Sequence, residues 1–273
     1  MRVQFSHGNG FPAGSYRAFL RALSDRLPAL SVRAVERIGH DPQFPITDQW
    51  PHLVRELISD LNRGGDHDQP LVLMGHSLGG YLSLMAAYQL ANGVHPRAAA
   101  VLLLDAPIIP SWKATMFALA KKTGLDQRFS PAAATRRRRN TWSSRTEALA
   151  HFSEKRAFAA FDTEALGDYV DAGVTQTDEG ALLAFERERE YRIYRTLPHR
   201  LHRLTRRPAP CPIGFIGGTH SMELKLTGTS ETRRVVGEHF SMIDGGHLFP
   251  MERPQQAAEA AHAMLIALGV IVR

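Results

Sequence analysis

Short β-rich runs alternating with helical patterns predict an α/β fold: a mostly parallel central sheet of about six strands with helices on both faces. The runs Leu71–Met74 and Ala99–Leu104 are apolar almost throughout, as suits parallel strands buried on both sides. A length of 273 residues is enough for one large domain or two small ones, and 44% apolar with 22% charged residues is a globular composition. Disordered and collagen-like chains are thereby excluded.

The elements follow in order. Val3–Phe5 is a short strand ending at His7-Gly8-Asn9-Gly10. Ser15–Leu27 puts Tyr16, Phe19, Leu20, Leu23 and Leu27 on one helical face. Ser31–Val35 reads as a second strand, followed by a loop punctuated by Pro42 and Pro45 and a helix over Trp50–Leu61 with leucines at 53, 57 and 61. Leu71–Met74 runs directly into Gly75-His76-Ser77-Leu78-Gly79-Gly80 and a long apolar helix through Ala91. Ala99–Leu104 ends in Asp105. From Ile108 to Arg207 the texture changes to helix-forming, charge-rich sequence such as Ala181–Tyr194, with few strand candidates. Past Pro208 the alternation resumes with strands at Ile213–Ile216 and Glu238–Ile243, the loop Gly245-Gly246-His247 and a closing helix over Pro254–Leu268. The expected organisation is a core of residues 1–107 and 208–273 split by a helical insertion over 108–207.

Charge and cysteine content narrow the function. Net charge is +6 with a pI near 9.8. Cys211 is the sole cysteine, so an intramolecular disulfide and a cysteine-based zinc site are excluded, which fits a reducing compartment. No apolar run approaches the ~20 residues of a membrane span. The opening MRVQFSHGNG lacks the apolar core of a signal peptide. A soluble, cytoplasmic protein is expected.

The chemistry-bearing residues begin with Gly75-His76-Ser77-Leu78-Gly79. It matches G-x-S-x-G between an apolar strand and a helix, the context a nucleophile elbow needs. Ser77 is the candidate nucleophile, and Gly80 keeps the helix start slim. A serine hydroxyl needs a base. Of 13 histidines, His247 is best placed, after a strand and two glycines and before a terminal helix. His76 is expected to point away and pack. The base needs a carboxylate to hold its tautomer. Asp105 ends the strand beside that of Ser77, and Glu223, in the loop after Ile213–Ile216, is the alternative acid; Asp105 also reads as a simple strand-end cap. His7-Gly8-Asn9-Gly10 offers a backbone N–H from Asn9 or Gly10 that, with that of Leu78, would form an oxyanion hole.

Taken in order, His7-Gly8-Asn9-Gly10-Phe11-Pro12, Gly75–Gly80, Asp105 and Gly246-His247 resemble the α/β-hydrolase family. The resemblance implies an α/β-hydrolase fold with a cap in place of the insertion. It also implies Ser77 as nucleophile, His247 as base, and Asn9 or Gly10 plus Leu78 as the oxyanion hole. Family members carry the acid after the penultimate strand or, as in some haloalkane dehalogenases with a similar HGN opening, where Asp105 stands. Those enzymes use an aspartate nucleophile followed by tryptophan, so Ser77 and Leu78 speak against dehalogenation. The chain opens at the strand that usually comes third, so the family's leading hairpin is expected to be absent or cut away.

Other features bear on this reading. The run Arg136-Arg137-Arg138-Arg139 is balanced by Glu186, Glu188 and Glu190 and reads as a solvated, salt-bridged face, with attraction of an anionic substrate or nucleic acid as alternatives. Trp112, Met116, Phe117, Phe158 and Phe161 are either ordinary core or an apolar acyl pocket. No phosphate loop or dinucleotide fingerprint is present, so no cofactor or metal is implied. The expected function is a serine hydrolase acting on an ester or acyl compound of small size, with no nucleic-acid or membrane partner. Carbon–carbon bond hydrolysis, acyl transfer, perhydrolysis and a non-catalytic binding protein are the alternatives.

Overall fold

The computed structural model describes residues 1–63, 69–93, 97–123 and 132–271. Six parallel strands form the central sheet: β1 (Arg2–Ser6), β2 (Ser31–Ala34), β3 (Leu71–His76), β4 (Ala98–Leu104), β8 (Ile213–Gly218) and β9 (Phe240–Ile243), in the order β2-β1-β3-β4-β8-β9. Strands β1, β3 and β8 are buried at every position, whereas the edge strands β2 and β9 contain no buried residue. The continuous apolar runs thus mark central strands, because parallel strands covered on both faces have no solvent side.

Two hydrophobic layers sandwich the sheet. One gathers Trp50, Leu53 and Leu57 of α2 (Pro51–Arg63) and its flank with Leu82 and Leu84 of α3 (Leu78–Leu90). The other packs Phe19 and Leu23 of α1 (Arg17–Arg26) against Ala261 and Leu265 of the helix Pro254–Ala267. Strand order reverses between β1, whose successor lies to one side, and β3, which lies to the other. In open α/β sheets such a switch point, at the carboxyl ends of the strands, opens the crevice where ligands bind.

The insertion between β4 and β8 contains a second sheet as well as helices. β5 (Thr141–Trp142), β6 (Val174–Thr177) and β7 (Gly180–Leu183) pair antiparallel in the order β5-β7-β6. This corrects the helical reading of Ala181–Tyr194: its first three residues are strand, and the helix is Arg187–Arg195. The two-residue turn Asp178-Glu179 before Gly180, whose φ is +135°, closes a hairpin too short for sequence periodicity to reveal. A small core of Trp142, Phe152, Phe158 and Tyr169 holds the insertion together, and Phe11 of the loop after β1 packs into it.

Candidate active site

Register brings the candidate residues together. β1 pairs Ser6 with Gly75, so the loop after β1 begins beside the turn after β3. β4 pairs Leu104 with His76, and the Ser77 N–H donates to the Leu104 carbonyl at 2.9 Å. Asp105 N–H in turn donates to the Ile216 carbonyl at 2.8 Å. Ser77, Asp105 and the end of β8 therefore stand side by side at one sheet edge.

The Ser77 turn is strained. Its φ is +53° and ψ −113°, and it is one of only four non-glycine residues with positive φ among those described; Asp105, at +44°, is another. Glycines make the turn possible. A Cβ on Gly79 would run into the Ser6 carbonyl of β1, and one on Gly75 into the backbone of Gly79. Side chains at either position would push α3 off the sheet. Ser77 is partly exposed while its neighbours on both sides are buried, and the first N–H groups of α3, Leu78 among them, have no intrahelical acceptor.

His247 meets Asp105. Its Nδ1 donates to Asp105 Oδ2 at 2.6 Å, and Asp105 is wholly buried. The same Oδ2 accepts from Ser221 Oγ at 2.6 Å, and Oδ1 accepts from the Gly218 N–H at 2.9 Å. These bonds fix the carboxylate and force the imidazole tautomer that leaves Nε2 free to accept a proton. Burial alone would lower the His247 pKa, but the Asp105 hydrogen bond and the charges of Glu223, Asp105 and Glu252 together raise it above its ordinary value. Glu223 lies farther off, its Oε2 3.5 Å from His247 Nδ1, with a side chain 48% exposed. Asp105, Glu223 and His247 each offer one ligand atom within 4.8 Å of the others. The hydrogen bonds already occupying Asp105 suit an imidazole–carboxylate pair better than a metal ion.

His76 is more than packing, contrary to the sequence reading. Its Nε2 donates to the His247 carbonyl at 2.8 Å, so Nδ1 is left to accept, and it does so from Tyr16 Oη at 2.7 Å. Tyr16 Oη in turn accepts from the Gly8 N–H at 2.9 Å. One buried chain of hydrogen bonds thus ties the loop after β1 to the His247 loop, and the two imidazole rings lie 4.8 Å apart. Burial and the neighbouring His247 hold the His76 pKa well below its ordinary value, which keeps the ring neutral, as the chain requires. Sequence periodicity marks Tyr16 as core but is blind to where its hydroxyl points.

In the loop after β1, His7 Nδ1 donates to the Gly8 carbonyl at 2.8 Å and Nε2 accepts from Ile38 N–H at 2.8 Å. Asn9 is buried and its Nδ2 donates to the Glu190 carbonyl at 3.0 Å; Gly10 adopts φ +80°. Three of the four arginines in the run pair with glutamates: Arg136 with Glu188 at 2.8 Å, Arg139 with Glu147 at 2.6 Å and Arg138 with Glu190 at 3.3 Å. The first two are surface pairs, but Arg138 turns inward. The residues read as either ordinary core or an apolar acyl pocket are dispersed: Trp112 and Met116 are more than 60% exposed, Phe158 and Phe161 pack with Phe11, and the Phe117 side chain lies outside the described residues.

The sequence model of the Alpha/beta hydrolase family matches residues 5–260. The chain belongs to this family. Its six-stranded sheet has the family's fold, and the family implies a hydrolase with a small-molecule substrate. The structure of E-2-(acetamidomethylene)succinate hydrolase superposes with a TM-score of 0.71 at 18% identity, covering 97% of this chain and 91% of that one. The peroxisomal alpha-beta-hydrolase Lpx1 of Saccharomyces cerevisiae gives 0.68 at 15% identity, covering 100% and 79%. Identities this low speak for the fold alone. By sequence, the chain is 29% identical over 113 residues to a Schizosaccharomyces pombe protein named "Putative monoglyceride lipase", spanning 40% of this chain and only 29% of that protein. No described helix is long and apolar enough to cross a membrane.

Proposed function

We propose that this α/β hydrolase cleaves a carboxylic ester or related acyl bond of a small molecule through an acyl-enzyme on Ser77. The observation that carries this reading is the 2.6 Å His247–Asp105 bond at the sheet edge where Ser77 sits in its strained turn. Ser77 Oγ attacks the carbonyl carbon while His247 Nε2 takes its proton, and Asp105 stabilises the imidazolium. The developing oxyanion is met by the Leu78 N–H and that of Asn9 or Gly10. Collapse of the tetrahedral intermediate expels the alcohol, which takes the proton from His247. Water, activated by His247, then attacks the acyl carbon and releases the acid and free Ser77. Asp105, buried and hydrogen-bonded to the base, supports this role better than the half-exposed Glu223. The insertion acts as the cap over the site, and the mechanism needs no metal or cofactor.

The test is labelling by a fluorophosphonate together with pre-steady-state hydrolysis of p-nitrophenyl butyrate. Wild type is expected to bind about one equivalent of label and to show a burst, and Ser77→Ala to do neither. Wild-type protein that is neither labelled nor active would overturn the proposal.

A further inference from the structure

The helix α4 (Ser111–Thr123) is apolar on two sides but covered on one. Its Ala114 is buried, whereas Trp112 and Met116, stacked one turn apart on another side, are 61% and 63% exposed. A helix apolar all round is ordinarily buried all round. The short helix Met222–Thr227 repeats the pattern: Leu224 packs inward, while Met222 and Leu226 are 57% and 71% exposed. Lys113 joins the two helices. Its Nζ donates to the Thr227 carbonyl at 3.0 Å and to that of Leu226, and it lies 5.1 Å from the centre of the Trp112 ring. Both helices start near the sheet edge that carries Ser77 and Asp105. α4 follows the Asp105 turn, and Ser221, which caps the shorter helix, donates to Asp105. The chain's lysines gather in the same place: of Lys113, Lys121, Lys122, Lys155 and Lys225, all but Lys155 lie on these two helices. α4 holds no acidic residue.

We propose that Trp112, Met116, Met222 and Leu226, with the lysines of these two helices, form a docking face for an anionic lipid surface. Exposed apolar side chains grouped in this way mark an interaction surface, and the charge around them decides what covers it. Tryptophan, methionine and leucine enter the boundary between headgroups and acyl chains, while lysines lay their stems along it and reach anionic headgroups. The chain's net charge of +6 adds to the attraction. A second copy fits poorly. A two-fold contact sets one patch against itself, so α4, with Lys113, Lys121, Lys122 and no acid, would face its own charge. The contact is peripheral, since no described helix is long and apolar enough to cross a membrane. It sets the edge of Ser77 and Asp105 beside the lipid. Binding itself does not depend on the acyl-enzyme reading above, so the two claims can fail separately.

The test is flotation with vesicles of phosphatidylcholine alone and of an equal mixture with phosphatidylglycerol. Wild type is expected to bind the mixed vesicles at least about 10-fold more tightly than the neutral ones, and less tightly at high salt. Tryptophan fluorescence gives a second readout. Trp50 and Trp142 are buried and Trp112 is exposed, so lipids brominated on their acyl chains are expected to quench Trp112 in particular, and Trp112→Phe to lose that quenching. Trp112→Ser/Met116→Ser, both at exposed positions, should weaken vesicle binding about 10-fold or more while leaving hydrolysis of soluble p-nitrophenyl butyrate unchanged. Ser77→Ala should bind as wild type does, which keeps docking apart from catalysis. Wild type that stays off the mixed vesicles, or binds them without quenching, overturns the proposal, as does a double variant that binds as tightly as wild type. Sedimentation that shows a dimer dissolved by the double variant, with no vesicle binding by wild type, assigns the face to a second copy and also overturns it.

Discussion

Replacing Asp105 by asparagine tests which carboxylate serves His247, and the structure sets the size of the effect. Asp105 uses Oδ1 for the Gly218 N–H at 2.9 Å and Oδ2 for both His247 Nδ1 and Ser221 Oγ at 2.6 Å. An asparagine has one oxygen. If it stays toward Gly218, its NH2 faces His247 Nδ1, which must then accept, and the proton moves to Nε2, where it blocks the base. If it turns toward His247, the NH2 opposes the Gly218 N–H in a wholly buried position, at a cost of about 1–3 kcal/mol. The first arrangement is therefore favoured. A triad locked in the wrong tautomer loses about 10⁴-fold in rate, or about 5.5 kcal/mol of transition-state stabilisation. Glu223→Gln instead removes a charge 3.5 Å away on a side chain 48% exposed, and exposed pairs contribute about 1 kcal/mol at most, some 5-fold in rate. The assay is kcat/KM on p-nitrophenyl butyrate, with thermal unfolding to confirm that both variants fold. A folded Asp105→Asn enzyme within 10-fold of wild type, or a larger loss from Glu223→Gln, would refute the assignment of Asp105.

Three further outcomes follow from the same contacts. The base must be neutral and its pKa lies above 6.5, so wild-type kcat/KM should rise with pH through a midpoint above that value; Glu223→Gln should move the midpoint down, and an unmoved pH profile would contradict the electrostatic account. Glu56 is buried, and desolvation raises its pKa from 4.5 to about 7, against the opposing Gly39 N–H bond. Its native state binds the proton more tightly, so its contribution to stability is complete below pH 4.5 and is lost as pH rises through about 7. Glu56→Gln should accordingly stabilise the fold at pH 8 by about 3 kcal/mol at most and little at pH 4.5, and equal melting shifts at both pH values would count against it. Tyr16→Phe strips the hydroxyl that serves both Gly8 and His76; kcat should fall about 10-fold with KM little changed as the two loops lose their tie, and an unchanged kcat in a folded variant would show the tie to be idle.

How far the site could be read from the sequence depended on whether each residue's position is set locally or by register. Ser77 was legible because strand, glycines and helix surround it within six residues, and the close approach of Gly79 to Ser6 is what those glycines exist to permit. His247 was legible from its two glycines and following helix. Which of Asp105 and Glu223 meets His247 more closely depends on Leu104 pairing with Ile216 and on Ser221 capping its own helix while donating to Asp105. Sequence spacing carries neither fact, since both arise from how three strands align. The small sheet in the insertion was missed for a related reason: two- to four-residue strands hold too few alternations to show a period of two, and the charge-rich helix beside them dominates the pattern. The arginine run was the hardest to read. Four consecutive side chains look alike in sequence, yet Arg136 and Arg139 pair at the surface while Arg138 alone meets a buried glutamate beside the loop after β1. In a helix end, consecutive residues point in different directions, so a charge run that reads as one solvated face can still send a single member inward.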